Sequence, residues 1–148
     1  MTLAARSPIS DVVSFARASD HATATAGGTG DATQVTGQII DRATYGYPQS
    51  ATAVIEYKAV LAAAATLSYA YTIEHSDASD MSGAATLASA TSTLQDTGGG
   101  GGTTQRGVLA IPLNLGPAKR YLRVKFTPDL SAGSVDTLEN AAVLAFGN

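Results

Sequence analysis

The 148 residues include no cysteine and no tryptophan. Without thiols there is no disulfide scaffold, no thiolate metal site and no cysteine nucleophile. Charge is also scarce: charged residues make up 14% of the chain, well below the roughly one quarter of an average protein, and Thr, Ser, Ala and Gly stand in their place. Such a surface repels copies of itself weakly, which suits a protein built to sit against neighbours. Nine Lys and Arg against twelve Asp and Glu leave a net charge of −3. Phosphate contacts need a basic surplus, so nucleic acid is not an expected partner. Long apolar runs are missing too. The longest, VLAAAATL from Val60 to Leu67, falls far short of the roughly 20 residues that span a bilayer, and the opening MTLAARSPISDVV lacks the apolar centre of a signal peptide. The expectation is a soluble chain without a cleaved signal and with no membrane partner. Aromatics are few, at 6%, and alanine supplies much of the apolar fraction, so a single core would be small and thin.

What the chain does have is alternation with a period of two, which places successive side chains on opposite faces of a sheet. Val35, Gly37 and Ile39 oppose Thr36 and Gln38; Ala53, Ile55, Tyr57, Ala59 and Leu61 oppose Thr52, Val54, Glu56 and Lys58; Leu67, Tyr69, Tyr71 and Ile73 oppose Ser68, Ala70, Thr72 and Glu74. Further on, Leu109, Ile111, Leu113 and Leu115 share a face, and Leu122, Val124 and Phe126 oppose Tyr121, Arg123, Lys125 and Thr127. Pro112 has no N–H for a ladder and marks its strand as an edge or a bulge. The final run is apolar on both faces from Ala141 onward, the pattern of a strand covered on both sides. AATLASATSTL, from Ala84 to Leu94, is a weaker strand candidate. Seven or eight short strands between turns, with no long amphipathic helix, predict an all-β chain folded as an antiparallel β-sandwich. Jelly-roll and immunoglobulin-like topologies both fit, and the eight-strand count favours the jelly roll.

Residues 1–31 differ from the rest and read as an extended N-terminal arm and Gly-rich linker, with residues 32–148 as the single sandwich domain. Ser7 and Pro8 can start a short helix carrying Ile9, Val12, Val13 and Ala16 at helical spacing, while VVSF reads equally well as a strand. The expectation is that the arm packs on a neighbouring subunit, with pairing to its own sheet as the alternative.

Four stretches raise the question of chemistry. LQDTGGGGGTTQRG lacks the G-x-x-x-x-G-K-[ST] ending and the following helix of a phosphate cradle, so it reads as a mobile loop linking Leu94 to Val108. EHSDASD gathers His75, Asp77 and Asp80 without calcium-loop spacing, and reads as a strand end followed by an Asx and Ser turn. PAKRYLRVK holds Lys119, Arg120, Arg123 and Lys125, a positive stripe that is either a solvated sheet face or a contact with an acidic surface. RATYGYPQS presents Tyr45 and Tyr47 at a turn, for the chain's own core, a neighbouring subunit or a sugar.

LSYAYTIEHSDASDMSGAATL, followed after the glycine run by AKRYLRVKFTPDLSAG, resembles the jelly-roll capsid cement, or decoration, proteins of tailed bacteriophages. The resemblance covers roughly the second half of the chain, and the five-glycine loop and the GGTGD linker depart from it. It implies a virion protein without enzymatic activity or cofactor. Such a protein would be a homotrimer on the outer surface of the capsid, bound between subunits of the major capsid protein, with no small-molecule substrate. The contact residues expected on this reading are Ile9, Val12, Val13, Phe15, Tyr45, Tyr47, Lys119, Arg120, Arg123 and Lys125. Phage tail and head-fibre proteins carry similar strands, and a carbohydrate-binding sandwich leaning on Tyr45, Tyr47 and Tyr57 stays open beside them.

Overall fold

Alternating side chains build strands here, and the breakers between them turn the chain back. The computed structural model describes residues 12–131 and 135–147. Among them run nine strands: β1 Val13–Arg17, β2 Ala22–Thr25, β3 Val35–Asp41, β4 Ser50–Leu61, β5 Thr66–Ser76, β6 Ala85–Thr97, β7 Thr103–Asn114, β8 Tyr121–Leu130 and β9 Thr137–Gly147. One sheet has the order β1-β9-β4-β7, with β2 also on β9, and the other has the order β3-β8-β5-β6. Every pairing between strands is antiparallel.

β1 and β2 follow one another along the same edge of β9, with Val13 opposite Gly147 and Thr25 opposite Thr137. Counted as one interrupted strand they bring the total to eight, and the strand order is that of a jelly roll. This corrects the expectation that the arm packs on a neighbour: residues 13–25 pair with the chain's own sheet. Their inward residues are Ala16, Ala18, Ala24 and Ala26, all buried, and alanine at those positions resembles linker composition. At the interruption the Ala18 and Ser19 N–H groups both donate to Ala142 O, at 2.8 and 3.0 Å, while Ser19 Oγ accepts from Ala142 N–H at 2.8 Å. The helix candidate at Ser7, Pro8 and Ile9 lies outside the described residues.

The core forms where the inward faces meet. Ala51, Ala53, Ile55, Tyr57, Ala59 and Leu61 face inward from β4, and the larger Tyr69, Phe126, Leu122 and Phe146 are buried in the same core. β7 is an edge strand, as Pro112 requires. β3 departs from simple alternation. A bulge between Thr36 and Ile39 shifts its register, so Ile40 rather than Ile39 is buried and Ile39 faces outward.

The five-glycine run is shorter and tighter than a mobile linker. β6 runs on to Thr97 and β7 begins at Thr103, leaving only residues 98–102 between them. Gly98 N–H donates to Ala65 O at 2.8 Å and Gly98 O accepts from Ala64 N–H at 2.9 Å. A Cβ at Gly98 would fall 1.9 Å from Ala62 O, so this glycine lets two turns touch. Gly101 and Gly102 then reverse the chain at φ of 86° and 83°, in the left-handed region that other residues avoid.

Candidate contact surface

The first expected site, the positive stripe, is paired within the chain, four cations with three carboxylates. β8 lies between β3 and β5, which brings carboxylates to each cation. Arg123 donates to Glu74 Oε2 at 3.1 and 2.8 Å from Nε and Nη2, and Lys125 Nζ donates to Glu74 Oε1 at 2.7 Å. Partial burial pushes the Glu74 carboxyl up, but Lys125 and Arg123 together outweigh it and hold the group below its ordinary value. Arg120 pairs in bidentate fashion with Asp41, at 3.0 and 2.8 Å, and Lys119 lies 3.5 Å from Asp77. These pairs fasten sheet strands and loops to one another, so each of the four cations has a carboxylate partner within the chain.

The loops around Tyr45 and Tyr47 are organised by a residue that sequence reading passed over. A short 3-10 helix, Arg42–Tyr45, is capped by the Asp41 carboxylate, which accepts from Ala43 N–H. Arg42 is buried and donates to four carbonyls, those of Ala118, Lys119, Pro48 and Leu115. It thereby locks the turn after β3 to the loop between β7 and β8. Tyr45 turns inward, its ring 4.8 Å from that of Phe146, and Tyr57 lies within the sandwich. Of the three tyrosines considered for sugar stacking, Tyr47 alone is exposed, at 49%.

The Ser/Asp segment is likewise structural in its bonds. His75 Nδ1 accepts from Lys119 N–H at 3.0 Å, Ser76 Oγ donates to Ser82 O at 2.7 Å and Asp80 accepts from Ser82 N–H at 2.8 Å. Among the described residues no three His, Cys, Asp or Glu side chains gather as a metal site.

Val13 and Phe15 lead to a different surface, the outer face of the β1-β9-β4-β7 sheet. Strand registers align Phe15, Ala145, Thr52 and Pro112 in one row, and Arg17, Val143, Val54 and Ala110 in the next. Ala141, Glu56 and Val108 follow. Charges of both signs, Glu56, Lys58, Arg106 and Glu139, collect toward the other end, where Lys58 lies 3.4 Å from Glu139. Phe15 is 65% exposed and Val108 60%. This corrects the reading of the final strand as covered on both sides: Leu138, Ala142, Leu144 and Phe146 are buried, whereas among the described residues no strand lies over Ala141, Val143 and Ala145. Four strands about 4.8 Å apart and eleven residues long at about 3.4 Å each span roughly 700 Å². That is close to the ~800 Å² per partner of a standard protein interface.

Of the expected contact residues, the structure brings Val13 and Phe15 together on this face, while Val12 is exposed just before β1. It places Lys119, Arg120, Arg123 and Lys125 in the ion pairs of the opposite sheet, and Tyr45 and Tyr47 at the corner beside Arg42. Ile9 lies outside the described residues. Val54, Val108, Ala110, Pro112, Val143 and Ala145 were missed, although the two-sided apolarity of the last strand was their signal.

No family model matches the chain, and no curated protein matches it. Among solved structures there is a distant match to "Structure of infectious bursal disease virus Gt strain", at 13% identity and a TM-score of 0.42. The alignment covers 90% of this chain and 32% of that one, so the chain spans about a third of its length.

Proposed function

We propose that the chain is a structural protein of a virion, a cement protein that stabilises a capsid shell by packing the outer face of the β1-β9-β4-β7 sheet against neighbouring subunits. The observation that carries this reading is that face: of interface size, apolar from Phe15 across Val143 and Val54 to Val108 with charges of both signs at the other end, and covered by no strand among the described residues. The low charge of the whole surface fits the same role, since repeated shallow contacts across a lattice add up without any strong single site. The assembly on this reading is a homotrimer on the outer surface of the particle, bound to the major capsid protein, with no catalytic activity. The sheet face would serve a phage tail or head fibre as well, and particle localisation separates these from a capsid site.

The test is light scattering on the purified chain and on Val143→Lys, together with binding to capsids stripped of this protein. The expected mass is three times the 14.9 kDa chain, with the variant folded but monomeric and unable to bind. A wild-type monomer at micromolar concentration that leaves capsids unbound would remove the proposal.

A further inference from the structure

The contact face is not level. At one end its two middle strands, β9 and β4, carry small side chains: Gly147 and Ala145 stand opposite Ser50 and Thr52. Taller groups rise on either side. Val13 of β1 stands opposite Gly147, and Asn114 and Pro112 of β7 stand opposite Ser50 and Thr52. Between them lies a trough of about 670 Å³, with Gln49 at its end. A Cβ at Gly147 would fall 2.6 Å from Ser50 Oγ, so glycine there keeps the floor low and lets the hydroxyl lie across it. β1 and β7 are three strand spacings apart, about 14 Å, which admits one extended chain with its side chains.

The chain enters its own sheet beside this trough. Val12 is 46% exposed, and Val13 opens β1 opposite Gly147. The chain is therefore led in from beyond the Gly147 end of the sheet. To fill its own trough it would have to double back over Val13, whereas a neighbour's trough needs no reversal. MTLAARSPISD, the eleven residues before Val12, lies outside the described residues. At about 3.3 Å each these residues reach up to about 36 Å. They include Leu3, Ala4, Ala5 and Ile9, small and apolar side chains that suit a floor of glycine and alanine. Pro8 has no N–H for a ladder, which fits this sequence to a groove that holds side chains rather than to a free strand edge.

We propose that residues 1–11 of one copy lie in the trough of a second copy, with Ile9 over Ala145 and Thr52. This rests on the reading of the sheet face as a subunit contact and names what fills its apolar end. An arm that leaves one copy and enters the same trough of the next makes a head-to-tail contact. Such contacts close into rings, here the ring of three in the proposed assembly.

A chain without cysteine allows a direct test. Full-length chains carrying Ile9→Cys and Thr52→Cys singly are mixed and oxidised. The control pairs Ile9→Cys with Thr127→Cys, on the outer face of the other sheet. A covalent pair of the two different chains should form with Thr52→Cys and not with Thr127→Cys. Equal linking to both positions, or none, overturns the proposal, and so does a link that closes within one chain when Ile9→Cys and Thr52→Cys are combined in it. Light scattering on dilution gives a second reading, in which Ile9→Asp should weaken self-association at least about tenfold. If Ile9→Asp assembles like the unaltered chain while Val143→Lys does not, the arm contact is refuted and the sheet face stands. An unaltered chain that never associates refutes both.

Discussion

Alanine at Gly98 should unfold the molecule far more readily than alanine at Gly100, although both lie in one run of five identical residues. At Gly98 the added methyl would stand 1.9 Å from Ala62 O, a backbone atom that cannot rotate away. One of the two turns must retreat by more than an ångström, straining or breaking the hydrogen bonds between Gly98 and Ala64 and Ala65. Overpacking of this kind costs about 1–3 kcal/mol, and the two bonds are worth about 0.5–1.5 kcal/mol each, so the loss should be about 2–6 kcal/mol. For a chain of this size that lowers the melting temperature by roughly 5–20 °C. Gly100 has nothing within 4 Å of its Cβ position and no positive φ; alanine there restricts the unfolded chain and should be neutral or stabilising by up to about 1 kcal/mol. Paired thermal and urea unfolding of the two variants reads the difference. Equal stabilities would show that the run is a loose tether and that the turn-to-turn contact is wrong.

Other consequences follow from the polar groups. Tyr57→Phe removes the hydroxyl that ties β4 to Asp96 of β6 and leaves a half-buried carboxylate without it, so urea unfolding should show a loss of about 1–2 kcal/mol; an unchanged midpoint would deny the tie. Glu74, held below its ordinary value of 4.5 by Lys125 and Arg123 against the effect of burial, favours the folded state when charged. Its contribution is fully present above that value and is lost as the pH falls through the lower folded-state value. Between about pH 5 and pH 3 the urea midpoint of the unaltered chain should therefore fall further than that of Glu74→Gln; parallel curves would refute the assignment.

Much of the sandwich was legible because its central strands alternate cleanly. β4, β7 and β8 each put their large apolar residues on the face that the structure buries. β6 was harder to read, as an edge strand whose Ala, Ser and Thr residues are largely exposed and obey no strong pattern. β3 misled because its bulge moves Ile40 inward in place of Ile39, and a bulge is set by a neighbour's backbone. Pairing of the arm with its own sheet stood only as the alternative, because alanine fills its inward positions. The candidate surface was half visible: two-sided apolarity in β9 signalled that something covers it, but no local pattern separates cover by the same chain from cover by another. The pairing of the positive stripe was not legible for the opposite reason. Its cations look free in sequence, and their carboxylate partners, Asp41, Glu74 and Asp77, arrive from elsewhere in the chain. Arg42 has no sequence signature at all, since three of its four carbonyl acceptors come from a loop more than 70 residues away.

The central claim is that the outer face of the β1-β9-β4-β7 sheet is buried in an assembled particle. Electron microscopy of particles carrying this chain tests it most directly. The account predicts density of neighbouring subunits over Phe15, Val54 and Val143, with the sheet that bears Glu74 and Arg123 turned away from the contact. Particles in which that apolar face is open to solvent, or which do not contain the chain, would contradict it.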